Sequence, residues 1–342
     1  MRITHGPGFV IALRVPQLLW LLLTALSVAR AERLQVKTYT TADGLARDHI
    51  NRIVQDSRGF LWFCTSEGLS RFDGYKFTNY GTEDGLAGRV VFDFLEARNG
   101  FYWVATDKGL CRFISDPLPQ ATAGPARAAH RRFLVYYPGE APKARSINAI
   151  YEDHSGTIWC CTDEGLYHAD LIGGDIVFSF VDSVRPARTE DKLRIEAVTE
   201  DRRGWLWVIA ESGLHRLGTD GTVELYTAAE GLPEGFSRAL LEDRDGRIWV
   251  ASDRGLYQLV PDPKPHQTIV ARRYTMKEGL AGDGVRSLCQ SWDGTLWACS
   301  WGGLSALPPG QSNPEARPRT YLESNGLIPA ITSVCEDRDH NL

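Results

Sequence analysis

The sequence predicts an all-β fold, a β-propeller of four-stranded antiparallel blades on a seven-bladed plan, with six complete blades and a truncated seventh. Three observations predict it. Gly-x-x-Trp occurs six times, at Trp62, Trp103, Trp159, Trp207, Trp249 and Trp297, always with the Gly three residues ahead. Six residues after each Trp comes a Gly-Leu pair, with its Gly at 68, 109, 165, 213, 255 and 303. The Trp residues are 41, 56, 48, 42 and 48 residues apart, so length varies between these cores and never within them. A unit of about 40 to 50 residues with one Trp and several turn glycines is a blade signature. One sheet of four strands cannot cover its own apolar face, and repetition around an axis lets each blade cover the next.

The elements follow in chain order. Residues 1–31 combine Arg2 and Arg14, the apolar run VPQLLWLLLTALSVA, and the small-residue site Ala29 to Ala31, the plan of a secretory signal peptide. An uncleaved membrane anchor is the alternative; the uninterrupted run is shorter than the roughly 20 residues of a membrane span. Residues 32–342 are then the propeller domain. Arg33 to Tyr39 reads as an outer strand with no blade of its own, and Asp43-Gly44-Leu45 as the connection back to the axis. In the first unit INRIVQD is the inner strand, FLWFCTS the second, LSRF the third and KFTNY the outer strand. Asp56 to Gly59 turns the first strand into the second, and Asp73-Gly74 is expected to form a two-residue hairpin between the third and fourth.

The connection motif returns as DGL at 84, EGL at 230 and 278, and NGL at 325, and is missing from the third and fourth units. Longer insertions all follow the third strand, so they gather on one face. Arg319 to Asp337 repeats the outer strand, NGL and inner strand of a seventh unit, with Asp337 in register with Asp56 and Asp243. That unit is expected to be incomplete, the chain being a fragment of a longer protein.

Alternation along the second strand puts Trp and the residue two beyond it on one face. The latter position reads Cys64, Ala105, Cys161, Ile209, Ala251 and Cys299, a small apolar slot between blades. Cys289 and Cys335 occupy matching places in neighbouring inner strands, expected to be too far apart for a bridge. The seven cysteines are therefore expected as buried thiols, with disulfide or metal binding as the lesser alternative. Without residues 1–31 the chain has 35 Lys and Arg against 43 Asp and Glu, a net charge of −8, which excludes nucleic acid and anionic membranes as natural partners.

The stretch TTADGLARDHINRIVQDSRGFLWFCTSEGLSRFDGYKF, residues 40–77, resembles the two-component regulator propeller repeat, whose units run DGL, then D-x-x-G-x-x-W, then T-x-x-GL-x-R-F. The likeness covers residues 34–342 and is most specific in the first, second and fifth units. Ala97 and Ser291 depart from it by replacing the turn Asp. The resemblance implies the periplasmic sensory half of a membrane histidine kinase, attached to the inner membrane in the full-length protein. It further implies a small-molecule or oligosaccharide ligand, downstream sensor-kinase modules as partners, and compatibility with a homodimer.

Catalytic and cofactor motifs are not found: there is no G-x-S-x-G elbow, Walker loop, H-E-x-x-H or C-x-x-C, and the eight His are scattered. No cofactor and no metal are expected. The repeated Trp is read as structural, and Asp56, Asp153, Asp201 and Asp243 as binders of turn amides rather than calcium. Ligand sites in propellers sit at the channel mouth, where the turns between second and third strands vary while the core does not. That places candidate ligand contacts at Trp301, Asp107, Lys108, Asp163, Glu164, Asp253 and Arg254. Trp301 is an aromatic in a slot otherwise polar, and an aromatic beside carboxylates suits a sugar ring. The competing function class is an exported propeller enzyme, a lyase or glycoside-active protein.

Overall fold

The computed structural model describes residues 36–114, 131–172, 175–184, 194–235, 237–260, 262–263, 266–309, 317–327 and 330–342. The candidate signal peptide and most of the insertion after the third strand of blade 2 lie outside them. In blade 1, β1 (Ile50–Gln55), β2 (Leu61–Thr65), β3 (Gly68–Phe72) and β4 (Phe77–Tyr80) pair antiparallel in sequence order. Five further four-stranded sheets follow the same order, over residues 91–136, 147–180, 195–226, 237–274 and 285–321.

Hydrophobic packing joins neighbours. Trp62, on β2, stacks on Phe94 of the next blade at 4.6 Å, with Tyr102 and Phe113 beside it. Successive apolar clusters bridge blades 1 and 2, 2 and 3, 3 and 4, 4 and 5, and 5 and 6. The slot two residues beyond each Trp is buried in all six blades, and all seven cysteines are free thiols, Cys289 and Cys335 being half-buried.

The turn Asp does more than hold turn amides. In blade 1 one Asp56 oxygen accepts from the Arg58 and Phe60 N–H groups at 2.9 Å, and the other accepts the Trp62 indole Nε1–H at 2.8 Å. Asp153, Asp201 and Asp243 repeat the arrangement. In blade 6 the Ser291 hydroxyl takes the Trp297 indole at 2.9 Å, whereas in blade 2, where Ala97 stands, the buried Trp103 Nε1 has no acceptor. Gly68 opens β3 at φ +116°, and a Cβ there would stand 2.4 Å from the Tyr80 carbonyl, so the close approach of β4 requires glycine.

A second set of bonds runs around the ring. The N–H following the turn residue of one blade donates to the side chain that ends the inner strand of the next. Ser57 thus reaches Glu96, Arg98 reaches Glu152, His154 reaches Glu200, Arg202 reaches Glu242 and Arg244 reaches Gln290.

Three expectations are corrected. The tight hairpin after β3 has Gly74 and Tyr75 at its centre, not Asp73 and Gly74: Asp73 N–H bonds Lys76 O, and the Asp73 carboxylate caps the Tyr75 and Lys76 amides. The structure has six blades, and a truncated seventh is not formed as a sheet. Residues 330–337 carry no strand, because an inner strand is defined by its ladder to a second strand and none of the described residues supplies one. This segment nevertheless fills the ring between blades 6 and 1. Trp292 N–H donates to Glu336, Thr332 donates to Ile50 O at 2.6 Å, and the Ser333 hydroxyl accepts from Ile53 N–H at 3.1 Å. These copy the joints elsewhere, where Asn51 donates to Val91 O and the Asp93 carboxylate accepts from Ile150 N–H. At the other terminus, residues 36–39 are not a strand, and Arg33 to Gln35 lie outside the described residues. Tyr39 packs on Phe72 and Phe77 much as Tyr80 packs on Phe113 and Phe133 of blade 2.

Candidate functional site at the channel mouth

In five of the six blades the turn between second and third strands rests on one hydroxyl. Thr65 Oγ1 donates to Gly68 O at 2.8 Å and accepts from Glu67 N–H at 3.0 Å, and Thr106, Thr162, Ser252 and Ser300 make the same bond to their glycine carbonyls. Blade 4 has Ala210 at this position and lacks the hydroxyl. Beside it opens a cleft of about 170 Å³ lined by Glu211, Ser212, Tyr226, Thr227, Pro233 and Glu234. Ser212 Oγ bonds His215 Nε2 at 2.8 Å, and burial pushes the His215 pKa down to about 4, so this histidine is neutral at physiological pH.

Antiparallel register then decides what meets these turns. Ile147 pairs with Thr162, Ser237 with Ser252 and Val285 with Ser300, so the second residue of each inner strand stands beside the first variable turn residue. In blade 3 Asn148 Nδ2 donates to Asp163 at 3.0 Å; in blade 5 Arg238 pairs with Asp253 at 3.2 Å. In blade 6 the Arg286 guanidinium lies over the Trp301 ring, 4.5 Å from its centroid. Blade 4 brings Glu196 towards this rim, and Arg194 bridges it at 2.7 Å to Asp163 of blade 3 at 3.5 Å.

The seven sequence-predicted residues all lie on these turns, spread around the rim rather than gathered in one cavity. Asp107 accepts from Val90 N–H at 3.2 Å, Asp163 and Asp253 are engaged as above, and Glu164 accepts from the Tyr167 hydroxyl at 3.2 Å. These four carboxylates shape the rim. Lys108 and Arg254 are exposed, and Trp301 is 51% exposed. Sequence reasoning missed Arg194, Arg238, Arg286 and Asn148. For Asn148, Arg238 and Arg286 the signal was available in the register, which sets the second residue of an inner strand opposite the turn of its own blade; Arg194 lies ahead of its strand and carried no such signal. Among the described residues no group of three His, Cys, Asp or Glu is placed to hold a metal ion, and no helix is long and apolar enough to cross a membrane.

The model of the family "Two component regulator propeller" matches residues 44–67 and 231–254, the opening of blades 1 and 5. No curated protein matches the chain. Among solved structures, the chain is similar to the extracellular domain of the hybrid two component system BT3049 from B. thetaiotaomicron, with TM-score 0.69 and 22% identity over 89% of this chain and 39% of that one. The extracellular domain of the one component system BT4673 from the same organism matches with TM-score 0.65 and 19% identity, over 90% of this chain and 40% of that one. A streptogramin B lyase shares the fold at TM-score 0.60 and 13% identity, over 86% of this chain and 90% of the lyase. The chain thus spans about two fifths of the length of those sensor domains. The stretches 44–67 and 231–254 are thus similar to the two component regulator propeller repeat, and the described residues build an all-β propeller of six four-stranded blades.

Proposed function

We propose that this chain is the extracytoplasmic, ligand-sensing propeller of a two-component signalling system, the sensory half of a membrane histidine kinase, and that it takes a small molecule or oligosaccharide at the channel mouth. One observation carries the reading. The turn frame recurs in every blade, clamped in five of the six by the same hydroxyl, while its outward residues change from blade to blade: Ser66, Asp107, Asp163, Glu211, Asp253 and Trp301. A frame held fixed under variable side chains is how a rigid scaffold presents a recognition surface. The similarity to extracellular domains of two component systems supports the location and the signalling role.

Isothermal titration of the purified chain with neutral and acidic oligosaccharides tests the proposal. Trp301→Ala should weaken binding and leave Tm nearly unchanged, because half of the indole is solvent-exposed. Trp207→Ala, at 1% exposure, should unfold the protein, since truncating a buried aromatic costs about 3–5 kcal/mol. A large fall in Tm for Trp301→Ala would make that residue packing and move the site elsewhere. Release of cleaved sugar in the same titration would instead support the lyase or glycoside-active reading.

A further inference from the structure

Arg286 is the anomaly of the rim. Blade 5 shows what its position ordinarily meets: Arg238 Nε lies 3.2 Å from the carboxylate of Asp253, the first variable turn residue of the same blade. In blade 6 that turn residue is Trp301, so the carboxylate is missing and the guanidinium rests on an indole face. Among the described residues Arg286 has no carboxylate within ion-pair distance, and its Nε is buried without an acceptor. Burial first and then the neighbouring Arg238 press against its charge, while Asp253 of blade 5, beyond ion-pair distance, supports it. A half-buried cation beside a second cation, with its Nε sealed inside and no carboxylate in its own blade, is a place where an incoming anion on the exposed side of the guanidinium supplies the missing charge partner.

We infer that blade 6 holds a subsite for the carboxylate of an acidic sugar, with Arg286 taking the place in the pair that Arg238 has with Asp253 and the exposed part of the Trp301 indole carrying the sugar ring. The inference rests on the mouth being the ligand site. Arginine over an aromatic ring is held in plane, which orients its fork for a carboxylate more sharply than a free side chain would. The blade 5 pair is the internal template for the contact. Gly284 leaves the indole edge open, since a Cβ there would stand 3.2 Å from Trp301 Cδ1.

The test is titration of the chain with a panel of uronate-terminated disaccharides, each measured beside its own methyl ester, which removes the charge and little else. At least one acid should bind, and its ester should bind at least tenfold more weakly. Arg286→Gln should erase that difference. Trp301→Asp should seat a carboxylate on Arg286 as Asp253 is seated on Arg238, abolishing acid binding while Tm holds or rises. The inference falls if no acid binds, if the esters bind as well as the acids, or if Arg286→Gln keeps the preference. Binding of neutral oligosaccharides that Trp301→Ala abolishes, with no preference for acids, would keep the mouth as the site and overturn the carboxylate subsite alone.

Discussion

Replacing Ala97 by Asp should stabilise this protein by about 1–2 kcal/mol. Blade 1 shows the result in place: Asp56, at 3% exposure, takes two turn amides on one oxygen and the Trp62 indole on the other. The turn of blade 2 already has that backbone. Ala97 N–H bonds Phe101 O at 2.8 Å and Gly100 N–H bonds Ala97 O at 2.8 Å, against 2.9 and 3.0 Å for the same bonds in blade 1. Asn99 supplies part of the missing acceptor by taking Phe101 N–H at 3.0 Å, but nothing reaches the Trp103 indole.

A buried donor without an acceptor costs about 1–3 kcal/mol, and a hydrogen bond to a charged group contributes about 1.5–3. Against these stand the several kcal/mol of removing a carboxylate from water and the loss of the Asn99 bond. The net gain is therefore a fraction of the gross terms, about 1–2 kcal/mol, or about 2–8 °C in Tm for a domain of this order of size. Asp201→Ala is the mirror experiment. It puts the Trp207 indole in the condition of Trp103 and strips two more bonds, for a loss of about 3–5 kcal/mol. Urea melts of the three proteins at neutral pH decide the matter. The reasoning is refuted if Ala97→Asp lowers stability, or if Asp201→Ala costs less than about 1 kcal/mol.

Other outcomes follow from the same geometry. Gly68→Ala should cost well over 1 kcal/mol, because it adds a clash with Tyr80 O to a left-handed φ, while Gly74→Ala, with nothing within 4 Å, should cost only about the 1–2 kcal/mol of its φ; denaturant midpoints compare them. Asp153 is raised by burial but lowered further by bonds from Ser155, Trp159 and the Thr157 amide, leaving its folded pKa below the usual value. Its contribution is thus present above the unfolded pKa of about 3.9 and lost as pH falls through the folded one. Stability measured from pH 5 down to pH 2 should show that loss, and Asp153→Asn should flatten it. Burial lifts the Cys160 and Cys111 thiols to about 12, so a disulfide reagent at pH 8 should label half-buried Cys289 and Cys335 first and reach the buried thiols only on unfolding.

Much of this architecture is legible locally because the repeat states it locally. The Gly-x-x-Trp core, the turn Asp and the Gly-Leu pair all act within about twelve residues of chain, and they place the strands, the buried face and the apolar slot at Cys64 and its counterparts. What joins one blade to another is not legible in this way. That Glu96 receives Ser57 N–H, or that Arg194 spans Glu196 and Asp163, depends on how two sheets sit side by side, for which no periodicity in the sequence stands. The site shows the same division. The turn residues were visible as variation within a fixed frame, but their partners Arg238 and Arg286 sit on the inner strand, 15 residues upstream, and meet them only through register. The Asp73-Gly74 turn was misplaced by one residue because Asp at a turn entrance and Asp in a turn centre carry the same composition, and only the cap on Tyr75 and Lys76 separates them.

The segment 330–337 couples the mouth to the ring. It is held between Trp292, whose N–H donates to Glu336, on one flank and blade 1 on the other, where Thr332 donates to Ile50 O and the Ser333 hydroxyl accepts from Ile53 N–H. The same segment touches the rim of blade 6, where Ala330 N–H bonds Trp301 O and Ile331 N–H bonds Ser300 O. A molecule gripped by the Trp301 turn therefore pulls, through two backbone amides, on the piece of chain that also holds the inner strand of blade 1, and a displacement of that turn is handed across the seam between blades 6 and 1.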